Sequence, residues 1–243
     1  MNLSLPWKSK VYCSLMRIPA PDLASFEFAK WVAIVTMAID HFGKIVMPDV
    51  FLPTHLIGRA AFPLFVWIIA SRLALRPELA GTYVRWLIPW ALISQPAFVF
   101  AGREWYEANV MLTLLLGVLS VWVMQTSRRR GQRLVAILAL ALLGWFSDYG
   151  SAGVIAIPAI YLAATRDHRL ALVVLAAFGI LVNLPIESTE DTYAVLATVA
   201  APVVAIASLS FQKVRWPRLP KVAFYAFYPA HLIVLTLLAQ SFS

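Results

Sequence analysis

Nine apolar segments, separated by short polar stretches, occupy the chain from residue 28 almost to its last residue. Most of them approach the roughly 20 residues that a helix needs to cross the hydrocarbon of a bilayer. They lie near residues 28–47, 57–75, 83–101, 109–126, 133–147, 150–165, 169–185, 193–211 and 221–241. Because 61% of the residues are hydrophobic and only 13% are charged, a soluble domain could not cover this apolar surface. The sequence therefore predicts an all-α integral membrane protein.

The basic residues give these segments a predicted orientation. With the N-terminus in the cytoplasm, 17 of the 20 lysines and arginines fall on the cytoplasmic side, and only Lys44, Arg59 and Arg103 fall opposite. Merging the two short segments around SDYG (147–150) would move the later basic clusters outside, against the positive-inside rule. We therefore predict about nine transmembrane helices in a bacterial inner membrane, with a cytoplasmic N-terminus and a periplasmic C-terminus.

The remaining features exclude several classes of protein. Residues 1–27 lack the continuous apolar core and cleavage site of a signal peptide, so they are predicted to be a cytoplasmic or interfacial lead-in to one membrane domain, 28–243. The single cysteine, Cys13, excludes an intramolecular disulfide and a cysteine-based metal cluster. The net charge of +8 is interpreted as an orientation signal and an attraction to anionic lipid, with no nucleic-acid partner. No metal-binding motif is present, and no metal is expected.

Polar side chains inside the segments collect toward the predicted outer ends of the spans. Ionisable groups at membrane depth are costly, and by default they mark a site of function. The set consists of Asp40, His41, Lys44, Arg59, Gln95, Asn109, Asp148 and Tyr149. We therefore predict a buried polar cavity on the outer side rather than contact with lipid.

Helix geometry distinguishes the members of the first span. Lys30 and His41 are eleven residues apart, which places them on almost the same helix face, about 16 Å apart along the axis. Asp40 and Lys44 are four residues apart and are expected to pair. Adjacent residues point about 100° apart, so a carboxylate that orients His41 is as plausible on another helix, at Asp148, as at Asp40. Since imidazole suits acid–base work near neutral pH, His41 is the predicted catalytic residue.

The other three histidines differ in their expected surroundings. His55 lies beside Pro53 in a predicted outer loop and is expected to be solvated, and His168 lies between two arginines in an inner loop. His231 is midway along the last span, in FYPAHL, where it suits a packing hydrogen bond and the lining of a site equally. Of these three, His231 is kept as a candidate site residue.

Six sequence blocks together resemble the TraX family of F-pilin acetylase-like membrane acetyltransferases. They are KWVAIVTMAIDHFGKI (30–45), IGRAAFPLFVWIIA (57–70), ISQPAF (93–98), NVMLTLLLG (109–117), DYGSAGV (148–154) and FYPAHL (227–232). The blocks occur in family order from the first span to the last, and DHxG, IGRxAFPLF and DYGxxG are specific in combination. The spacing of Lys30 and His41 is also similar to the Arg/Lys-x10-His pattern of the acyltransferase-3 group, in which the histidine is taken as catalytic.

The resemblance implies a membrane acetyltransferase that uses acetyl-CoA and acts on an amine or hydroxyl. The acceptor stays open among a pilin N-terminus, another peptide, a glycan and a lipid. The anionic nucleotide is expected on the cytoplasmic basic rim, bound by Lys30 with Arg85 or the 128–130 loop. The pantetheine arm would then lead to His41, which deprotonates the acceptor or takes the acetyl group transiently.

The same reading assigns roles to the surrounding polar residues. Asp40 or Asp148 would hold the imidazole tautomer, and Asn109, Gln95 or Arg59 would stabilise the developing oxyanion. The further substrate-binding candidates are Lys44, Tyr149, Tyr228 and His231.

Two other classes of function stay open at this point. Intramembrane Asp, His and Lys residues also build proton relays, so a proton-coupled transporter is one alternative. Against it, the polar residues collect at one end of the spans and no internal repeat is visible. A non-catalytic subunit of a conjugation or secretion apparatus is the other alternative.

Overall fold

The computed structural model describes residues 21–48, 51–182, 189–211, 214 and 216–242, and these residues form ten α-helices. The helices are α1 (Leu23–Ile45), α2 (Phe51–Gly58), α3 (Ala61–Leu75), α4 (Ala80–Phe100), α5 (Val110–Thr126), α6 (Arg130–Leu143), α7 (Gly150–Arg166), α8 (His168–Leu181), α9 (Thr189–Ser210) and α10 (Lys221–Gln240). Short 3₁₀ turns precede α4 and follow α6. Each predicted apolar segment coincides with one helix, and α2 is an additional element.

The first helix begins earlier than its apolar run. Asp22 caps α1 through its Oδ1 atom, which accepts hydrogen bonds from the Ser25 amide at 2.8 Å and the Ser25 hydroxyl at 2.9 Å. This side-chain oxygen satisfies one of the unpaired amides of the first turn. The end of the predicted lead-in is therefore helical, whereas residues 1–20 of it lie outside the described residues.

The all-helical architecture is consistent with a helical membrane protein. Within the described residues, two stretches are long and apolar enough to cross a bilayer, Pro53–Leu75 and Lys221–Gln240. Large apolar side chains such as Leu92, Leu142 and Val173 are exposed on the surface of the bundle, as expected where lipid replaces water. The nine spans and the orientation of the termini stay predictions.

The core of the bundle surrounds α3, which packs against α1, α7, α8 and α9. Leu64, Val66 and Leu73 on α3 are fully buried, as are Ile157 on α7 and Leu175 on α8. On the other side α10 packs against α1 and α4. The first, third, fourth and last helices consequently enclose a common interior.

Helix direction brings the basic residues of three helices to one end of this interior. The Arg72 guanidinium, late in α3, lies 5.7 Å from the ring centroid of Phe26, early in α1. The Lys30 Nζ atom lies 5.6 Å from the ring centroid of Phe224, in the first turn of α10. Lys30, Arg72 and Lys221 define what we call the basic end. His41 and His231, further along α1 and α10, define the polar end.

A glycine contact holds α2 against α1 at the polar end. A Cβ atom added at Gly58 would overlap the side chain of Asp40, and one added at Gly43 would overlap Thr54. The absence of side chains at these two positions therefore permits the close approach of the two helices. This approach carries His55, on α2, to the first helix.

We expect Gly58→Ala to lower the thermal stability of the full-length protein in detergent. The added methyl group must displace Asp40, and overpacking of this kind costs about 1–3 kcal/mol. For a chain of this size each kcal/mol corresponds to a fall of roughly 2–4 °C in Tm, which tryptophan fluorescence during heating would measure. Gly81→Ala is the matched control, because a Cβ atom there meets nothing within 4 Å. An unchanged Tm in Gly58→Ala would contradict the contact.

Candidate functional site

A pair of histidines from the first and last helices lies at the centre of the polar end. The Nδ1 atom of His41 is 2.6 Å from Nε2 of His231, and Nδ1 of His231 is 2.7 Å from the Phe227 carbonyl oxygen. Because a carbonyl can only accept, His231 Nδ1 donates its proton to it. In the neutral ring Nε2 is then the acceptor for the Nδ1–H of His41. The Nε2 atom of neutral His41 is left with a free lone pair and can act as a base.

This partner of His41 differs from the one expected from the sequence. The sequence predicts a carboxylate, Asp40 or Asp148, as the group that fixes the imidazole tautomer. In the structure, His231 is the hydrogen-bond partner of His41 instead. The Asp40 Oδ2 atom is 4.0 Å from His41 Nε2, too far for a hydrogen bond. His231 was a candidate for lining the site. Its contact with His41 depends on packing between segments that are distant in the chain, and no local sequence pattern reveals it.

Asp40 is bonded to two other groups. Its Oδ1 atom accepts from His55 Nδ1 at 2.8 Å, and its Oδ2 atom accepts from Lys44 Nζ at 2.8 Å. The pairing with Lys44 is the one predicted from their spacing. The prediction that His55 is solvated is wrong, since 17% of its side chain is exposed and it bonds Asp40. Had residues 51–58 been interpreted as helical, His55 and Gly58 would have shared the face that contacts α1.

Two cavities meet at these residues. The first, which we call the apolar channel, is lined at one end by Lys30, Arg72 and Lys221 and at the other by Asp40 and His41. The second, the polar vestibule, has a volume of about 390 Å³. The vestibule is lined by Asp40, His41, Lys44, His55, Gly58, Arg59, Arg103, Asp148, Tyr149 and Val182. Both cavities are lined by Asp40, His41, Gly58, Asp148 and Tyr149.

Aromatic and aliphatic side chains form most of the channel wall between its two ends. Phe62, Phe65, Trp86 and Leu114 line it, and the ring of Tyr149 stacks on Phe62 with a centroid separation of 3.6 Å. Such a wall suits an uncharged chain-like group. A highly charged group is expected to stay at one of the two ends.

The basic residues that line the basic end, and their partners, differ from those predicted. Lys30 lines the channel, but its Nζ atom pairs with Glu27 Oε1 at 2.6 Å. Arg72 and Lys221, which sequence reasoning did not select, line the same mouth. Arg85 is exposed and, like the exposed 128–130 loop, is absent from the channel lining. The topology predicted from the sequence places Arg72 and Lys221 on the cytoplasmic side, and this placement could have identified them as candidates for binding the donor.

A backbone bridge positions Asp148 at the vestibule. The Ala108 amide donates to the Phe146 carbonyl at 2.7 Å, and the Asp148 amide donates to the Ala108 carbonyl at 3.0 Å. The nearest cation is Arg103, whose Nη2 atom is 4.0 Å from Asp148 Oδ1. Burial raises the pKa of the Asp148 carboxyl above its ordinary value, and the charge of Arg103 only partly opposes this effect.

Gln95 and Asn109 do not line either cavity. Asn109 caps α5 through Oδ1, which accepts from the Met111 amide at 3.0 Å, while its Nδ2 donates to Gln95 Oε1 at 2.7 Å. Gln95 Nε2 donates in turn to the Glu107 carbonyl at 2.5 Å. Their hydrogen-bonding groups are occupied in a helix cap, so the structure gives these two residues a structural position instead of the predicted oxyanion site.

Tyr228 and Arg59 both lie at the predicted site, in different cavities. Tyr228 lines the apolar channel, with its ring centroid 6.4 Å from that of His41. Arg59 lines the polar vestibule, and its Nε atom is buried without a hydrogen-bond partner among the described residues. The Asp40 oxygens are bonded to His55 and Lys44, and no ion pair joins Asp40 to Arg59 among the described residues.

A family model and two relatives each match nearly the whole chain. The family model described as TraX protein matches residues 25–239. Protein TraX of Escherichia coli strain K12 is 33% identical over 220 residues, which cover 88% of this chain and 86% of that protein. A second Escherichia coli Protein TraX is 31% identical over the same shares of both chains. No solved structure matches the chain significantly. The residues that line the two cavities all lie within the matched range, 25–239.

We expect Asp148→Asn to stabilise the protein relative to the wild type increasingly as the pH rises. Because the pKa of Asp148 is raised on folding, the folded state holds this proton more tightly than the unfolded chain does. Its contribution to stability is therefore present at low pH and is lost as the pH rises through the raised pKa. The variant lacks this titration, so its Tm minus that of the wild type should grow as the pH rises above about 4, the ordinary pKa of an aspartate.

Glu78→Gln, which removes an exposed carboxylate outside both cavities, controls for the loss of one negative charge. A Tm difference in Asp148→Asn that stays constant or falls with pH would contradict the raised pKa.

Proposed function

The chain belongs to the TraX family, and we propose that it is a membrane-embedded acetyltransferase. It moves the acetyl group of cytoplasmic acetyl-CoA to an amine or hydroxyl at the periplasmic side of the inner membrane. One observation carries this proposal: His41, whose Nε2 atom is left with a free lone pair, lines both the apolar channel from the basic end and the polar vestibule. Two substrates can therefore reach the same base from opposite ends.

The apolar channel suits the acyl donor. Arg72 and Lys221 at its mouth match the phosphates of CoA, and Lys30 adds a partly neutralised cation beside them. The uncharged pantetheine arm fits the aromatic wall between the mouth and His41. The eleven-residue separation of Lys30 and His41 on α1 corresponds to about 16 Å, a length comparable to that extended arm.

The chemistry then proceeds by direct transfer. The acceptor nitrogen or oxygen attacks the thioester carbon while His41 Nε2 takes its proton, and the C–S bond breaks as the tetrahedral intermediate collapses. The imidazolium returns the proton to the departing sulfur, which leaves as the CoA thiol. Throughout, His231 Nε2 accepts from His41 Nδ1, so the ring keeps its orientation in both protonation states. Direct transfer is favoured over an acetyl-histidine because both cavities reach His41 at once.

Tyr228 is our candidate for stabilising the oxyanion. It is 2% exposed and lines the channel beside His41. Val110, the first residue of α5, lines the same channel, and its amide lies in the first turn, where amide groups are not used within the helix. The tyrosine O–H can donate to a negatively charged oxygen that forms beside it.

The acceptor belongs in the polar vestibule. A pilin N-terminus, another peptide, a glycan and a lipid headgroup each offer an amine or hydroxyl to this cavity. Asp148 lies in its wall, where its carboxylate can pair with an incoming ammonium group.

His41→Ala is expected to lower acetyl transfer by roughly 10²- to 10⁴-fold, the usual contribution of a positioned general base. The measurement is release of CoA from acetyl-CoA by the full-length protein in proteoliposomes, with glycine or ethanolamine supplied as acceptor, together with the mass of the acetylated product. His168→Ala is the matched control, because His168 lies outside both cavities. Full activity in a folded His41→Ala protein would remove His41 from its assigned role.

Lys221→Gln is expected to raise the KM for acetyl-CoA roughly tenfold, the loss of one charge-assisted hydrogen bond. It should leave the KM for S-acetylpantetheine unchanged, since that donor lacks the nucleotide phosphates. Arg85→Gln is the control, because Arg85 is a basic residue that does not line the channel. Equal effects on the two donors, or an effect of Arg85→Gln alone, would show that the nucleotide does not bind at this mouth.

A further inference from the structure

We propose that the acceptor carries an anionic group, a carboxylate or a phosphate, beside the amine or hydroxyl that is acetylated, and that Arg59 binds this group. The inference rests on the proposed function, because it concerns the second substrate of the same site. It names a chemical class of acceptor, which the family similarity leaves open.

The charges of the vestibule single out Arg59. Asp40 uses both carboxylate oxygens, one on His55 and one on Lys44. Asp148 has Arg103 as its neighbouring cation. Of the three cations and two carboxylates that line this cavity, Arg59 is left without a carboxylate in the described part of the chain.

The hydrogen bonding of Arg59 supports the same conclusion. Its Nε atom is buried and has no hydrogen-bond partner among the described residues. A buried donor without a partner is costly, and a guanidinium offers a planar fork that matches a carboxylate or phosphate. An anionic ligand would satisfy both the charge and the free donor.

The position of Arg59 separates this role from stabilisation of the oxyanion. Arg59 lines the polar vestibule and is absent from the lining of the apolar channel, through which the thioester is proposed to arrive. It directly follows Gly58, which packs on Asp40, and His41 is the next residue on α1. An anion on Arg59 is therefore in the same cavity as the His41 base, on the acceptor's side.

Matched acceptors test the charge preference. Glycine and glycinamide differ in a carboxylate, and O-phosphoethanolamine and ethanolamine differ in a phosphate. We expect the half-saturating concentration for CoA release to be at least about tenfold lower for one anionic member than for its neutral counterpart. The pair that shows the difference identifies the anion as carboxylate or phosphate. Equal half-saturating concentrations in both pairs would overturn the proposal.

Two variants assign the preference to a residue. Arg59→Gln should abolish the difference between anionic and neutral acceptors, by raising the half-saturating concentration of the anionic acceptor to that of its neutral counterpart. Arg103→Gln removes one positive charge from the same vestibule and should keep the difference. Equal loss in both variants would indicate a general positive field and overturn the specific role of Arg59.

A second readout does not depend on turnover. Phenylglyoxal modifies accessible arginines, and mass spectrometry of the peptides reports the rate at Arg59. O-phosphoethanolamine or inorganic phosphate should slow this modification, whereas ethanolamine should not. Absence of CoA release with every acceptor would refute the proposed acetyl transfer, and protection of Arg59 would still decide whether the anion site exists. Unchanged modification in the presence of glycine, O-phosphoethanolamine and phosphate would refute the site.

Discussion

The hydrogen bond between His41 and His231 joins the first helix to the last and determines which atom at the polar end is free to react. It depends on the Phe227 carbonyl, which obliges His231 Nδ1 to donate and so makes its Nε2 an acceptor. A neutral acceptor beside His41 differs from the carboxylate of a hydrolase-type triad, because it orients the ring without adding a negative charge to an apolar interior. The free-energy cost of burying the base is thereby kept small, and His41 lines both cavities.

The carboxylate next to this pair has a different task. Asp40 is satisfied by Lys44 from its own helix and by His55 from α2. Its bond to His55 holds α2 against α1, and a side chain at Gly58 would overlap Asp40. Asp40 thus shapes the wall that the channel and the vestibule share. Two adjacent polar residues in one helix can therefore serve separate purposes, since their side chains point to different neighbours.

Much of the fold follows from local patterns, and these were visible in the sequence. The nine apolar runs became helices, Asp40 and Lys44 paired at the predicted spacing, and Lys30 and His41 line one channel. The contact between His41 and His231 was not predictable, because it depends on packing between the first and the last helix. Arg72 and Lys221 had a signal in the predicted topology, and His55 would have had one if residues 51–58 had been interpreted as helical. Gln95 and Asn109 were predicted to stabilise the oxyanion, but they form a helix cap. The polar residues of a helix cap look the same in a sequence as those of a substrate site, and only hydrogen-bond geometry distinguishes the two.

The charged groups at the two ends of the interior have different partners. At the basic end, Lys30 Nζ is bonded to Glu27 Oε1, and Glu27 Oε2 is buried without a hydrogen-bond partner among the described residues. In the vestibule, the Arg59 Nε atom is buried without a hydrogen-bond partner in the described part of the chain, and the cation beside Asp148 is Arg103, at 4.0 Å. A bundle selected for stability alone would have paired them, so a vestibule that keeps both groups available is better explained by a polar ligand. The apolar channel has few such groups between its ends and suits a substrate that must pass through without being held. Transfer between two different substrates requires one cavity through which the donor passes and another that binds the acceptor. The apolar channel and the polar vestibule differ in this way.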